Sequence, residues 1–431
     1  MYYIGMKVVI HTLGCKVNQY ESDAIALALE ERGIDVSYDL EKADAYVVNT
    51  CAVTNEAEKK SRQVLAKIQK LNPKAKIYVC GCASQHNPQN FQKGKNVVHI
   101  SGVANKLKLA DAIEKGTGIV ELDLLPSEYN DTYVSKPSKT RAYIKIQDGC
   151  NNFCSYCLIP YLRGRSRSRN VVEILNEVEN LQQFAKEIVL TGIDISDFKI
   201  DGKPALGKLL EMLSDCNVRI RLGSLEQGVV NDELLEVISK MKNLCPHFHL
   251  SLQSGSASVL KRMNRHYTPE QFLAVVQKIR KCFVNPAITT DVIVGFPGET
   301  DEEFMETVMF VKKVKFFQIH VFPYSKREGT VAARMKDLNG EIKRKRVEIL
   351  EKINEKLQKK YINKCKKTLH SVLIEEKEGQ YYIGHAENYI KCYIKSENLI
   401  PNTFVTVQLK KPYIDGALAV VKETKKCKKN Y

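Results

Sequence analysis

The sequence predicts an α/β protein in three parts: an N-terminal parallel α/β domain, a central partial (βα)6 barrel and a small C-terminal β-barrel. Three observations carry this. The first hundred or so residues alternate short β-rich runs with helical patterns. From Arg141 onward, six further β-rich runs alternate with helices. Beyond a helix crowded with Lys and Arg, five short strand patterns succeed one another.

In the first part, Lys7–His11, Ala45–Asn49 and Ile77–Val79 read as strands, and Glu21–Arg32 and Glu56–Leu71 as helices. This βαβα rhythm predicts a parallel sheet within residues 1–116. A polar stretch follows with Pro126, Pro137 and several Ser and Thr, so residues 117–140 read as a linker. The strand candidates of the second part are Ala142–Ile146, Glu187–Leu190, Val218–Leu222, His247–Leu252, Ile288–Val294 and Phe317–Phe322. Helical segments such as Val171–Phe184 and Pro269–Lys281 separate them. Six units rather than eight predict a partial barrel over residues 141–364, with its working residues at strand ends. Glu341–Tyr361 is helical. Leu369–Glu375, Tyr381–His385, Lys391–Ile394, Phe404–Leu409 and Leu418–Lys422 then read as strands of a barrel within residues 365–431, of the sort that binds oligonucleotides. A merely stabilising barrel with a solvated Lys-rich tail is the plainer alternative.

A chain of 431 residues exceeds one ordinary core, and 44% apolar with 27% charged residues describes a soluble, globular protein. The net charge of +16 favours a polyanionic partner, nucleic acid ahead of an anionic membrane surface. The surplus concentrates in residues 341–431, with 21 Lys and Arg against 11 Asp and Glu. No apolar run approaches the roughly 18 residues that span a bilayer, so no membrane association is expected. Leu13-Gly14-Cys15 faintly resembles a lipoprotein cleavage site, but His11 interrupts the short apolar run before it. Met6 could equally be the start. Thirteen cysteines without a secretion signal indicate a cytoplasmic protein whose thiols ligate metal or pack in the core.

The strongest local signal is Cys150-Asn-Asn-Phe-Cys154-Ser-Tyr-Cys157, just after the first barrel strand. Three thiolates so spaced can hold three irons of a 4Fe–4S cluster and leave the fourth open to bind and reduce something. Zinc or a structural cluster would want a fourth ligand, and no Cys or His follows before Cys216. A second set, Cys15, Cys51 and Cys82, is separated by 36 and 31 residues, each cysteine following a predicted strand. Parallel strands present their C-terminal ends on one edge, so these three can converge in a single crevice. Three buried cysteines packing as small apolar residues is the alternative. Cys80 rivals Cys82, although Gly81 lets the chain leave the strand so that Cys82 reaches the crevice. The Arg163-Gly-Arg165-Ser-Arg167-Ser-Arg169 run puts alternate arginines on one side of an extended segment, where they would face RNA phosphates. A solvated basic loop is the alternative there. Cys216, Cys245, Cys282, Cys365, Cys392 and Cys427 show no ligand spacing.

The Cys-x3-Cys-x2-Cys motif with an aromatic before its last Cys resembles the signature of the radical S-adenosylmethionine enzymes. The resemblance implies that S-adenosylmethionine chelates the open iron and is cleaved to a 5′-deoxyadenosyl radical. It also implies that Tyr156 lies over the adenine, that Thr191 and Gly192 lie near the methionyl group, and that Glu226, Gln253 and Asp291 line the cofactor site. A plain core or solvent role is the alternative for each of these last three. Over the whole chain, the three-cysteine domain, the central barrel and the TRAM-like C-terminal barrel resemble the methylthiotransferases. That resemblance implies a second, auxiliary 4Fe–4S cluster at Cys15, Cys51 and Cys82, S-adenosylmethionine as both radical source and methyl donor, an electron donor, a sulfur source, and replacement of C–H by C–S–CH3.

Around Cys15 the sequence reads His-Thr-Leu-Gly-Cys15-Lys-Val-Asn-Gln. This is similar to the branch acting on N6-threonylcarbamoyladenosine at position 37, in the tRNA anticodon loop. The branches acting on isopentenyladenosine in tRNA or on a ribosomal protein are the alternatives, and a non-enzymatic iron–sulfur RNA-binding protein is the alternative of another class.

Overall fold

Three sets of strands organise the computed structural model, which describes residues 5–104, 106–122, 125–129 and 132–422. Cys427 and parts of the expected linker lie outside the described residues. The first set is a six-stranded sheet of β1 (Lys7–Thr12), β2 (Asp35–Ser37), β3 (Ala45–Thr50), β4 (Lys76–Gly81), β5 (Val97–Ser101) and β6 (Val120–Glu121). Its order is β2-β1-β3-β4-β5-β6 and every pairing is parallel. Helices cover both faces, so the central strands are continuous apolar runs, with Val8, Val9, Tyr46, Val47 and Val79 fully buried. The three strands read from the sequence are the central ones. The edge strands β2 and β6, and β5 beside the latter, are short or partly polar and carry little periodic signal. β6 falls within the stretch read as a linker, where Thr132 and Val134 are also buried.

The helix read as Glu21–Arg32 spans Lys16–Glu30. Its first turns escaped the apolar pattern because they bury polar groups: Asn18, Glu21, Ser22 and Asp23 all lie inside.

The second set comprises β7 (Ala142–Asp148), β8 (Arg167–Ser168), β9 (Glu187–Gly192), the small hairpin β10 (Lys199–Ile200) and β11 (Lys203–Pro204), β12 (Arg219–Leu222), β13 (Ser224–Leu225), β14 (His247–Leu250), β15 (Ala287–Val294) and β16 (Gln318–Pro323). Parallel pairings join β7, β9 and β12 in one sheet and β13, β14, β15 and β16 in another. A parallel bridge from Ile220 to Leu244 links the two. Among the described residues β16 does not pair with β7, so the six main strands form a partial barrel. Amphipathic helices cover its outside. Pro269–Cys282 and Asp301–Val314 each begin with a complete capping box, Thr268 with Gln271 and Thr300 with Glu303.

A 26-residue helix, Gly340–Cys365, packs along β16 and leads into the third set. There β17 (Leu369–Glu378), β18 (Tyr381–Ala386), β19 (Lys391–Lys395), β20 (Phe404–Tyr413) and β21 (Gly416–Val421) close a barrel in the order β17-β18-β19-β21-β20. Val372, Ile374, Ile394, Val407 and Leu409 fill it. It docks against the central barrel through buried arginines. Arg219 donates to the Ser371 carbonyl at 2.9 Å, Arg221 donates to the Ala386 and Glu387 carbonyls at 3.2 Å, and both hold Glu187. No helix among the described residues is long and apolar enough to cross a membrane.

Candidate active site

The first cysteine set occupies a loop leaving the C-terminal end of β7. Gly149 turns the chain at φ +73°, and a Cβ there would lie 2.0 Å from the Arg165 carbonyl oxygen, so only glycine fits. The loop is then pinned at both sides. Cys150 N–H donates to Gly164 at 3.1 Å, Asn152 to the Asp194 carboxylate at 3.0 Å, and the Ser155 hydroxyl to the Arg262 carbonyl at 2.8 Å. Arg265, which the sequence reading did not single out, donates to Cys154 Sγ at 3.3 Å and pairs with Glu226. Burial pushes the Cys150 and Cys157 thiols up to about 12, and the charge of the neighbouring sulfurs adds to it.

The second set is assembled from three strand ends. Cys15 caps the Lys16–Glu30 helix after β1, Cys51 follows β3, and Cys82 follows β4. Gly14, at φ +105°, lets the Cys15 loop pass so near Cys51 that a Cβ would stand 2.8 Å from its Sγ. Asn18 ties two of these ends together, donating to the Leu13 carbonyl at 2.8 Å and the Thr50 carbonyl at 3.0 Å. Burial, and then the charge of Cys82, pushes the Cys51 thiol up to about 12. The sulfurs of Cys15, Cys51 and Cys82 thus act on one another. Cys80 is buried in a different layer, with Ile10, Leu29 and Tyr78, whereas Cys82 packs with Val48, Val79 and Leu158.

A buried charge network joins this second set to the barrel. Arg163 Nε donates to Cys82 Sγ at 3.3 Å, while Arg163 Nη1 reaches Glu21 at 2.8 Å and Asp148 at 3.0 Å. Lys145 approaches both carboxylates at 3.2 Å, and Lys106 pairs with Glu21. Burial raises these carboxyls, but the surrounding cations more than offset it, holding Glu21 well below the carboxylate range and Asp148 down to about 2. With Arg167 3.7 Å from Asp148, four cations face two carboxylates and leave a positive surplus beside Cys82, suited to thiolate ligands.

This network corrects the expectation that the arginine run faces RNA phosphates. Arg163 is fully buried as described; Arg167 is buried against Asp148 and the carbonyls of Arg163 and Arg165; Arg169 is buried against Glu177 and Tyr20. Only Arg165 of the four is exposed, its guanidinium 4.4 Å from the centre of the Phe153 ring. The run is not one extended segment, since Arg163 ends a short helix and Arg165 turns outward, and the other three face carboxylates contributed by other elements.

A cavity of about 230 Å³ lies beside Cys157 of the first set. Ala52, Val53 and Thr54 line it from one side, and Tyr156, Cys157 and Leu158 from the other. The charge of Cys82 is felt at Cys157, so the sets face each other at close range. Of the expected cofactor residues, Tyr156, Gln253 and Asp291 line this cavity. Gln253 holds a left-handed φ of 64° and its backbone brackets Asp291 and Ile293. Asp291 meets His249 at 3.3 Å, and His320 lies close by. Thr191, Gly192 and Glu226 are not in that lining. Thr191 is buried in β9, Gly192 abuts Gln147, and Glu226 reaches the first cysteine set through Arg265. The donor chemistry fits iron–sulfur ligation, since each set supplies three neighbouring sulfurs with an arginine at one of them and leaves one corner of a 4Fe–4S cluster open.

Two family models match the chain: the Radical SAM superfamily over residues 144–311 and Uncharacterized protein family UPF0004 over residues 7–102. The chain is 39% identical to the threonylcarbamoyladenosine tRNA methylthiotransferase MtaB of Bacillus subtilis, across 96% of this chain and 97% of that one. It is 38% identical to the protein of the same name from Thermotoga maritima, across 91% of each. It is 36% identical to the tRNA-2-methylthio-N(6)-dimethylallyladenosine synthase of Thermoanaerobacter pseudethanolicus, across 85% of this chain and 81% of that one. Among solved structures, the radical S-adenosylmethionine methyltransferase TsrM from Kitasatospora setae shares the fold, with a TM-score of 0.54 at 15% identity over 74% of this chain and 72% of that one. The cofactors of such enzymes are S-adenosylmethionine and 4Fe–4S clusters, and a count of two agrees with the two cysteine sets. A β7 loop with three cysteines, a parallel sheet with three more and relatives matched nearly end to end lead to one statement: the chain belongs to the radical S-adenosylmethionine tRNA methylthiotransferases, and it is an enzyme.

Proposed function

We propose that this enzyme converts N6-threonylcarbamoyladenosine at position 37 of tRNA to its 2-methylthio derivative. The observation that carries the mechanism is the cavity formed by the Ala52–Thr54 and Tyr156–Leu158 loops, which sets the chain just after Cys51 and the first set's Cys157 around one space that a nucleoside can enter. The substrate choice is supported by the two relatives named for threonylcarbamoyladenosine, at 39% and 38% identity, against 36% for the dimethylallyladenosine synthase.

In this reading Cys150, Cys154 and Cys157 hold the radical cluster, and Cys15, Cys51 and Cys82 hold the auxiliary one. When bound, these groups and S-adenosylmethionine supply the hydrogen-abstracting radical, the sulfur and the methyl group. The protein's own residues do the rest. Tyr156, Gln253 and Asp291 form the wall against which S-adenosylmethionine is oriented. Arg265 holds Cys154 and Glu226 in register. Arg163 holds Cys82 and steadies its negative charge. The adenine must leave its stack to expose C2, and the apolar side chains of Val53, Leu158, Ile293 and Phe322 are there to pack against the flipped base and displace water from the reacting atoms. The C-terminal barrel contributes phosphate contacts through exposed lysines such as Lys377, Lys410 and Lys411. Replacing all three should weaken tRNA binding and lower its salt slope by about one per lysine lost.

The deciding experiment is mass spectrometry of tRNA nucleosides from a host lacking any such enzyme, with and without this chain. The 2-methylthio derivative of threonylcarbamoyladenosine should appear only with it. Methylthiolated isopentenyladenosine in its place would overturn the substrate assignment.

A further inference from the structure

A second cavity, of about 470 Å³, opens on the other side of Cys15, bounded by the Lys16–Glu30 helix, the start of β7 and β17. Cys15, Lys16, Ser138, Thr140, Arg141 and Glu375 are among its lining residues. Lys16 is half-buried there, yet among the described residues its ammonium makes no hydrogen bond and no ion pair. Its charge is felt at Asp291, in the wall of the first cavity, so the two cavities are neighbours.

The surroundings of Lys16 hold more cations than carboxylates. Tyr389 is the group that most favours its charge, while Arg141 and Arg221 oppose it, and Arg219 lies beside Arg221 on β12. Three buried or partly buried carboxylates serve this group, and each has a partner of its own. Glu187 is shared by Arg219 and Arg221 and stands 4.0 Å from Arg141; Glu375 is shared by Arg141 at 3.4 Å and His385 at 2.7 Å; Asp291 is held by His249 at 3.3 Å. Glu376 lies at the exposed rim. Arg141 pairs with Glu375, but its Nη1 is buried without a hydrogen-bond partner. The helix that Lys16 opens has no acidic residue in its first turn, so its positive end adds to the imbalance. A half-buried ammonium without an ion pair, beside a guanidinium with one nitrogen unbonded, is unfavourable until an anion arrives.

We propose that Lys16, with Arg141 behind it, is the specificity subsite for the carboxylate at the end of the substrate's N6 substituent. This rests on threonylcarbamoyladenosine being the substrate. That substituent ends in a carboxylate and a hydroxyl; the Ser138 hydroxyl already serves Asp23 and Gln19, but Thr140 makes one bond at 3.3 Å, to the Glu375 carbonyl, and its oxygen can accept from the substrate hydroxyl next to the two cations. A dimethylallyl group in the same place would leave the Lys16 ammonium without an ion pair and Arg141 Nη1 without an acceptor, which is discrimination by an unpaired buried charge.

The test measures equilibrium binding of synthetic anticodon stem-loops to the reconstituted full chain at fixed salt. One stem-loop carries threonylcarbamoyladenosine; the other carries its carboxamide, which alters no phosphate. The wild-type chain should bind the acid at least about tenfold more tightly than the amide. Lys16→Gln should lose that factor on the acid and nothing further on the amide, with iron content unchanged, and Lys16→Arg should keep part of it. Equal binding of acid and amide by the wild type, which needs no variant to fold, would overturn the proposal. So would a Lys16→Gln variant that weakens both stem-loops alike, the mark of a phosphate contact, or one that loses iron while keeping the acid-to-amide ratio, the mark of a cluster-supporting lysine. Failure of the substrate reading itself looks different: the wild type would then methylthiolate isopentenyladenosine and leave threonylcarbamoyladenosine tRNA untouched.

Discussion

The two cysteine sets hold sulfur in the same number and by opposite means. Cys150, Cys154 and Cys157 sit in one short loop, so the chain itself limits how far apart they can be. Cys15, Cys51 and Cys82 are brought together only because β1, β3 and β4 are adjacent and parallel in the sheet, which places three successive strand ends side by side. Each set has one sulfur facing an arginine, Cys154 with Arg265 and Cys82 with Arg163, each at 3.3 Å. Arg265, like the first set, belongs to the barrel. Arg163 belongs to the barrel but serves the N-terminal sheet, so the second set is completed by an interface. A local site should therefore fail alone, while an assembled one should be sensitive to whatever holds the sheet to the barrel.

The largest effect should come from the local set. Cys154→Ala is expected to abolish 5′-deoxyadenosine release from S-adenosylmethionine; cleavage persisting in protein shown to lack that cluster would remove these cysteines from the radical site. Next comes Cys51→Ala, expected to release 5′-deoxyadenosine yet form no methylthiolated tRNA. Its iron content should fall from about eight to about four atoms per chain. An undiminished yield of modified tRNA would break the assignment of the assembled set.

A third variant addresses the interface. Arg163→Met leaves Glu21 and Asp148 buried with Lys106, Lys145 and Arg167 as their remaining close cations. It should cost about 3–5 kcal/mol in denaturant unfolding and reduce retention of the auxiliary cluster more than that of the radical cluster. Equal loss of both would mean that the asymmetry between the sets is only apparent. The smallest effect belongs to Cys80→Ala. Its side chain packs with Ile10 and Tyr78, so about 1 kcal/mol of stability is at stake and both clusters should remain, as iron analysis would record. Loss of the auxiliary cluster in this variant, with its retention in Cys82→Ala, would transfer the ligand role to Cys80.

How much of this was legible beforehand varied with how local the cause was. The spacing of Cys150, Cys154 and Cys157 and the β-then-α rhythm of both α/β regions are properties of short segments, and the structure repeats them nearly residue for residue at β7, β9, β14 and β15. The convergence of Cys15, Cys51 and Cys82 needed one further rule, that parallel strands end on a common edge. The start of the Lys16–Glu30 helix was hidden, because its inward residues are Asn18, Glu21 and Ser22 rather than an apolar stripe.

The sequence by itself determined the fold class, the two sets of three cysteines and the order of the strands that carry them, since periodicity and spacing express local backbone geometry. Only the tertiary structure decided where the charged side chains went. The run from Arg163 to Arg169 looks the same whether it faces phosphate or protein. What drew Arg163 inward is Glu21, 142 residues away along the chain, and what sets the charge around Lys16 is Tyr389, Arg141 and Arg221, brought to it from distant parts of the chain. A buried charge is stable only against the partner that packs opposite it, and the identity of that partner is a property of the assembled fold.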